Sequence, residues 1–174
     1  HKPDSLAMET FKSLGADLLE VEFPQGDPYD AFDIILRSEA GAFFDELVRK
    51  HRERELGEQD SDSRANSLRQ SRFIPAVEYI QANRHRKVLI EKFNRMIRDF
   101  DFIISPSNGQ HLSMATNLTG HPAMVIPTGF DKKGRPTSLT LIGNLYDEGP
   151  MLEAAYIFQQ ATEFEKKRPA SFAQ

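Results

Sequence analysis

The sequence has no cysteine, which excludes disulfides, thiolate metal sites and cysteine nucleophiles. It has no run of about 18 apolar residues, the length a membrane-spanning helix needs. It shows no signal-peptide pattern either. Neither sign of charge dominates: 22 basic against 26 acidic residues give a net −4. That argues against a general nucleic-acid coat, although a local patch stays open. None of the ten glycines adjoins another, no two serines are adjacent, and no G-x-S-x-G occurs. A serine nucleophile needs a tight, glycine-permitted turn and a base in reach, and that turn is missing. The first residue is His1 rather than Met, so the chain reads as a piece of a longer product. Its compartment, cytoplasmic or exported, is left open, because any signal would lie upstream of His1.

What is there is a chain of 174 residues, long enough to bury about 70% of its unfolded surface without a covalent staple. Asp4 or Ser5 caps a short helix carrying Ala7, Phe11 and Leu14, with Gly15 at its stop. Leu19, Val21 and Phe23 alternate with Glu20 and Glu22, the pattern of a half-buried strand closed by Pro24. Helical spacing from about Asp30 to Lys50 predicts a second helix, in which Ala40, Gly41 and Ala42 let another backbone come close. Eight of the fourteen residues 51–64 are charged, and the reading there is a charged flexible loop near 51–66. Pro75 opens a long helix with Val77, Ile80, Val88, Leu89, Phe93, Met96 and Ile97 along it. A buried strand at 102–104 leads into a loop over 106–122. Strands at 124–126 and 137–143 flank a turn at Asp131–Gly134, and a last helix begins near Pro150. Short apolar strands between long helices predict an α/β fold, a mixed β-sheet sandwiched by helices.

Several constellations carry both a chemical and a plain structural reading. Ser105 and Ser107 flank Pro106 after a strand, where site rims often lie; turn chemistry alone also explains them. His111, His121 and a carboxylate could hold a metal, but ligand spacing is lacking. The basic residues of helix 75–99, Arg84 to Arg98, could meet RNA; Glu78, Glu91 and Asp99 dilute them, and a solvated or packed face is the simpler reading. Asn117-Leu118-Thr119-Gly120-His121-Pro122 sets polar groups, a glycine and a proline directly before a buried strand. Physically it is an ordered loop in which Gly120 permits positive φ or a close backbone approach.

That last stretch, continued as Asn117-x-x-Gly120-x-Pro122-x-x-x-x-Pro127-x-Gly129, resembles the C-terminal segment of the amidase signature family. Its members include the glutamine-dependent tRNA amidotransferases and fatty-acid amide hydrolase. Gly134-Arg135-Pro136 through Leu141-Ile142-Gly143 resembles the family's next strand, and Asp101–Pro106 its preceding one. Leu14-Gly15-Ala16, Ser38-Glu39-Ala40 and Ala76–Arg84 also match, in the right order. The resemblance implies the C-terminal part of an amidase domain over residues 1–174. It implies hydrolysis of carboxamide C–N bonds by a Ser–cis-Ser–Lys mechanism in the full-length enzyme. The lysine and the paired serines would lie in the N-terminal half, so no catalytic residue is assigned in this chain and the chain alone is expected to be inactive. The chain would supply sheet and a wall of the substrate pocket, with Ser107, Gln110, His111, Asn117 and Thr119 as candidates. Gln110 stands where family members acting on glutamine have an acidic residue, and a neutral amide does not supply that charge pairing. Ser138 and Thr140 also replace the family's usual glycine and glutamine. No cofactor or metal is implied. The expected partners are a small-molecule amide, bound only with the N-terminal half, and a second copy of the chain; neither membrane nor nucleic acid is expected. The alternative is a non-catalytic amidase-like module pairing with another chain.

Overall fold

A computed structural model defines the fold, and residues 2–107, 109 and 111–169 are described. The helices are α1 (Lys2–Ser13), α2 (Asp33–Phe43), α3 (Asp45–Arg49), α4 (Arg64–Gln70) and α5 (Ala76–Ile97). Strand β1 (Phe102–Pro106) precedes α6 (Leu112–Thr119), and β2 (Ala123–Phe130), β3 (Pro136–Gly143) and α7 (Gly149–Thr162) follow. Contacts divide the chain into two units, one of residues 25–89 and one of the segments on either side of it.

In the outer unit the α/β fold class holds, built on a small sheet in the order β1-β3-β2 with both pairings antiparallel. The period of two sorts its side chains. Phe102, Ile104, Met124, Ile126, Leu139 and Leu141 share one face, which α1 and α7 cover with Ala7, Phe11, Met151, Ala155 and Phe158. Those helix residues recur at i, i+4 and i+7, the spacing that aims them at one surface. Leu139, Leu141 and Phe158 are fully buried, each stabilising the fold by about 1.5–3 kcal/mol. Gly15, at φ 96°, ends α1 as expected, with the Ala16 N–H donating to Phe11 O at 3.0 Å.

The β2–β3 hairpin explains its own motif. Pro127 has no N–H to offer a ladder, so it fits an edge strand beside an irregularity. The register shifts between Pro127 and Gly129, and Gly129 takes φ 114°. A Cβ at Gly129 would sit 3.2 Å from the Phe164 ring. At the far end, Gly143 meets Pro122: their backbones bond at 3.0 Å, and a Cβ at Gly143 would lie 3.3 Å from the proline ring.

The unit of residues 25–89 is helical. The helix expected over 30–50 is three pieces: a 3-10 turn at Tyr29–Phe32, then α2 and α3, with the break at Phe44 where ψ swings to 24°. Gly41 does allow close approach, since a Cβ there would overlap Ser71 Oγ at 2.1 Å. In the charged stretch near 51–66, Arg52–Glu55 forms a 3-10 turn, and buried Glu53 accepts a bond from Arg69 Nε at 3.2 Å. Ser63 then caps α4, its hydroxyl accepting from Asn66 N–H at 3.2 Å, a helix that the charge pattern does not reveal.

Two expectations are corrected in the outer unit. Residues 19–23 carry no regular secondary structure and join no strand among the described residues; alternation in a sequence does not suffice, because a ladder also needs a neighbour. The loop expected over 106–122 contains α6, because Leu112, Ala115 and Leu118 bury one face of a helix that Gly120, at φ 81°, stops. On α5, Leu89, Phe93 and Ile97 are buried, while Val77, Ile80 and Val88 lie on an exposed side.

Candidate functional site

The second face of the sheet is chemically unlike the first. Ser105 pairs directly with Thr140, which pairs with Val125 on its other side, and Ser138 pairs with Pro127. This sets Ser105, Ser138 and Thr140 on one face. Thr140 is only 6% exposed; its hydroxyl donates to Ser107 Oγ at 3.1 Å, just past the end of β1. With that lone pair occupied, exposed Ser107 keeps its own proton to offer. Val125, beside Thr140, is 61% exposed. The result is a row of neutral hydroxyl groups bordered by exposed Val125, with buried Ile142 beyond Thr140 on the same face.

A second group sits at the end of α6. Thr119 is buried and its hydroxyl donates to Ala115 O at 2.9 Å. The same oxygen lies 2.9 Å from Nδ1 of buried His121, whose ring packs on Phe93 with centroids 4.6 Å apart. Burial holds the His121 imidazole below its ordinary pKa of 6.5. A hydroxyl beside an imidazole is the usual pairing of nucleophile and general base. Here the hydroxyl proton is directed at a carbonyl and neither group reaches solvent, so the pair is a joint and not a reactive centre.

The sequence candidates therefore fall into separate places. Ser107 belongs to the hydroxyl face and Thr119 to the buried joint. His111 is the N-cap of α6, in the left-handed region at φ 58°. Asn117 is an exposed residue on α6, and among the described residues its side chain has no hydrogen-bond partner. Gln110 and Asn108 lie outside the described residues. Ser105, Ser138 and Thr140 gain a place that sequence reasoning does not give them together, and strand alternation is the signal that could have done so. Among the described residues neither Ser105 nor Ser107 is bonded to a lysine or histidine; Ser105 Oγ donates to Pro106 O at 3.4 Å. Among the described residues no three His, Asp or Glu side chains are grouped to hold a metal ion, and no helix is long and apolar enough to cross a membrane. A cavity of about 870 Å³ lies elsewhere, between α1, the hairpin turn and Phe164, and none of the candidate residues lines it.

No protein-family profile matches the chain. Individual proteins do. The glutamyl-tRNA(Gln) amidotransferase A-subunit of Prochlorococcus marinus is 30% identical, over 93% of this chain and 42% of its own length. The protein of the same name from Enterococcus faecalis is 31% identical, over 94% of this chain and 41% of its own. Among solved structures, an amidase superposes with a TM-score of 0.74 at 20% identity, over 92% of this chain and 41% of that one. A bacterial aryl acylamidase of the amidase signature enzymes gives 0.68 at 15% identity, over 95% and 40%. The chain belongs to the amidase signature family. It spans about two-fifths of the length of the curated relatives it matches, and corresponds to their C-terminal part.

Seen as a family member, the chain uses its motif glycines and prolines as joints. Gly120 ends α6, Pro122 seats Gly143, and Pro127 with Gly129 makes the irregularity of β2. Ser138 and Thr140, two of the positions read in the sequence as departures from the family pattern, lie on the hydroxyl face.

Proposed function

We propose that this chain is the C-terminal part of an amide hydrolase, and that the hydroxyl face of its sheet is one wall of the substrate pocket. The observation that carries this is the asymmetry of the sheet: one face sealed by α1 and α7, the other bearing Ser105, Ser138 and Thr140 beside exposed Val125. The nucleophilic serine, its partner serine in a cis peptide and the lysine base are assigned to the family segment not represented here. A lysine works as a base only where desolvation lowers its pKa, and a serine is a nucleophile only with such a base in reach. Ser105 and Ser107 have hydroxyl and carbonyl neighbours instead.

The wall is uncharged, so the part of the substrate against it is read as neutral: a small carboxamide without an ionic group at that end. Ser107 would donate its free proton to an acceptor there. The test is expression of the 174 residues alone and joined to the coding sequence upstream of His1, each assayed on simple aliphatic and aryl amides. Hydrolysis only by the joined protein, with a fluorophosphonate adduct upstream of His1, is the expected result. A site-specific serine adduct within these 174 residues would overturn the assignment. An upstream sequence without a lysine and a glycine-flanked serine pair would favour the non-catalytic module instead.

A further inference from the structure

The hydrogen-bond chain at the end of α6 fixes a protonation state. A threonine hydroxyl has one proton to give. In Thr119 it goes to the Ala115 carbonyl, which only accepts. The contact between Thr119 Oγ1 and His121 Nδ1 must then take its proton from the imidazole. Nδ1 is therefore the protonated ring nitrogen and Nε2 the bare one. Nε2 is buried and has no hydrogen-bond partner among the described residues. The ring is 4% exposed and faces Phe93, which Phe23 meets edge-on at 5.6 Å.

A second proton would have to settle on Nε2, where no acceptor waits and the new charge has no water. The attraction of a cation for the Phe93 ring is weaker than the desolvation of an ion. Among the described residues no charged group contributes to the lowered pKa of the ring, and burial is its cause. The charged residues flanking Phe93 along α5, Lys92 and Arg95, line a surface groove with Glu20 and Glu22 instead. His121 itself lies between the left-handed Gly120 and the first residue of β2. Its Nε2 reaches water only if that joint moves.

We propose that His121 is an acid-sensitive latch: neutral, it ties the last turn of α6 to the start of β2, and protonated, it releases that joint and with it the helix carrying Asn117 and Thr119. The latch is a property of the joint and stands whether or not the chain is part of a hydrolase. The sign follows from the lowered pKa. The stability tied to neutral His121 is fully present above pH 6.5 and is lost as pH falls from there through the folded-state value. Within that window each pH unit multiplies opening of the joint by up to about tenfold.

The test uses the 174-residue chain. Nitrogen–proton correlation spectra of the imidazoles at neutral pH should show His121 with Nδ1 protonated and Nε2 bare; the opposite tautomer overturns the proposal. On acidification, the protection of the Ala115 to Gly120 amides, taken relative to their intrinsic exchange rates, should fall below pH 6.5 in the wild type and not in His121→Phe, which keeps the ring volume and cannot take a proton. Equal loss of protection in both would assign the effect to other groups and overturn it. Should His121→Phe fail to fold, the wild-type titration decides alone: a His121 midpoint at or above 6.5 refutes the latch.

Discussion

The sealing of the sheet by α1 and α7 together makes a quantitative prediction through Phe11 and Phe158. The two rings stack with centroids 4.7 Å apart and planes 23° from parallel. Phe158 is fully buried and Phe11 nearly so. Both press on the face that holds Ile126, Leu139 and Leu141. Phe158→Ala should lower stability by about 3–5 kcal/mol, the usual range for emptying a buried phenylalanine site. For a chain of this length that is a fall in Tm on the order of 6–20 °C. A second measurement isolates the pair. Phe11→Leu, Phe158→Leu and the double variant form a cycle whose coupling should be about 0.5–1.5 kcal/mol, the part of the stacking beyond simple burial. Urea unfolding followed by circular dichroism supplies all four values. A loss below about 1 kcal/mol for Phe158→Ala, against the usual range for such sites, or a coupling near zero, would mean that the two helices do not close the sheet as one layer.

Three further outcomes are expected. Gly120→Ala should destabilise by about 1–2 kcal/mol, since the left-handed conformation strains any side chain with a Cβ, while nothing nearer than Leu145 at 3.8 Å would meet it; Gly120→Asn should lose less, and equal losses in urea melts would point to crowding rather than backbone strain. Thr140→Val removes the bond to Ser107 and should reduce stability by about 0.5–1.5 kcal/mol; in the joined protein it should raise KM for amides more than it lowers kcat, and unchanged kinetics would remove the hydroxyl face from the pocket. The Asp131 carboxylate accepts the backbone N–H of Arg135 at 2.9 Å and of Lys133 at 2.8 Å, and pairs with the Arg135 guanidinium. The Arg135 backbone bond foremost holds its pKa below the ordinary 3.8, so the hairpin gains stability above that pH and loses it as pH falls through the lower folded value. Amide shifts of Lys133 and Arg135 should report a midpoint under 3.8, and one at or above it would contradict the turn geometry.

Much of this fold is legible from the residues. The spacing of Ala7 and Phe11, of Met151, Ala155 and Phe158, and of the two hairpin strands each names an element and the face it buries. Periodicity works there because each segment has its covering partner within the chain. It misleads at Leu19, Val21 and Phe23, where the alternating side chains are real but no described strand pairs with the backbone. It misleads again at 112–119, where Asn117, Thr119 and Gly120 look like loop chemistry. There the burial of Leu112, Ala115 and Leu118 outweighs the weak local preference of polar residues for turns. The candidate site is legible only in pieces. Ser105 and Thr140 stand far apart in the chain, and a register, which only pairing defines, makes them neighbours.

Strand β3 has a consequence that reaches past this one molecule. It runs between the other two strands, and its alternate residues do unrelated jobs: Leu139 and Leu141 hold the core, while Ser138 and Thr140 face the other way. A lineage can therefore rewrite Ser138 and Thr140 to suit a new substrate at modest cost to folding, while Ile142, on that same side but buried, stays with the core. Two texts are interleaved in eight residues, and the one written at Ser138 and Thr140 can change while Leu139 and Leu141 stay fixed.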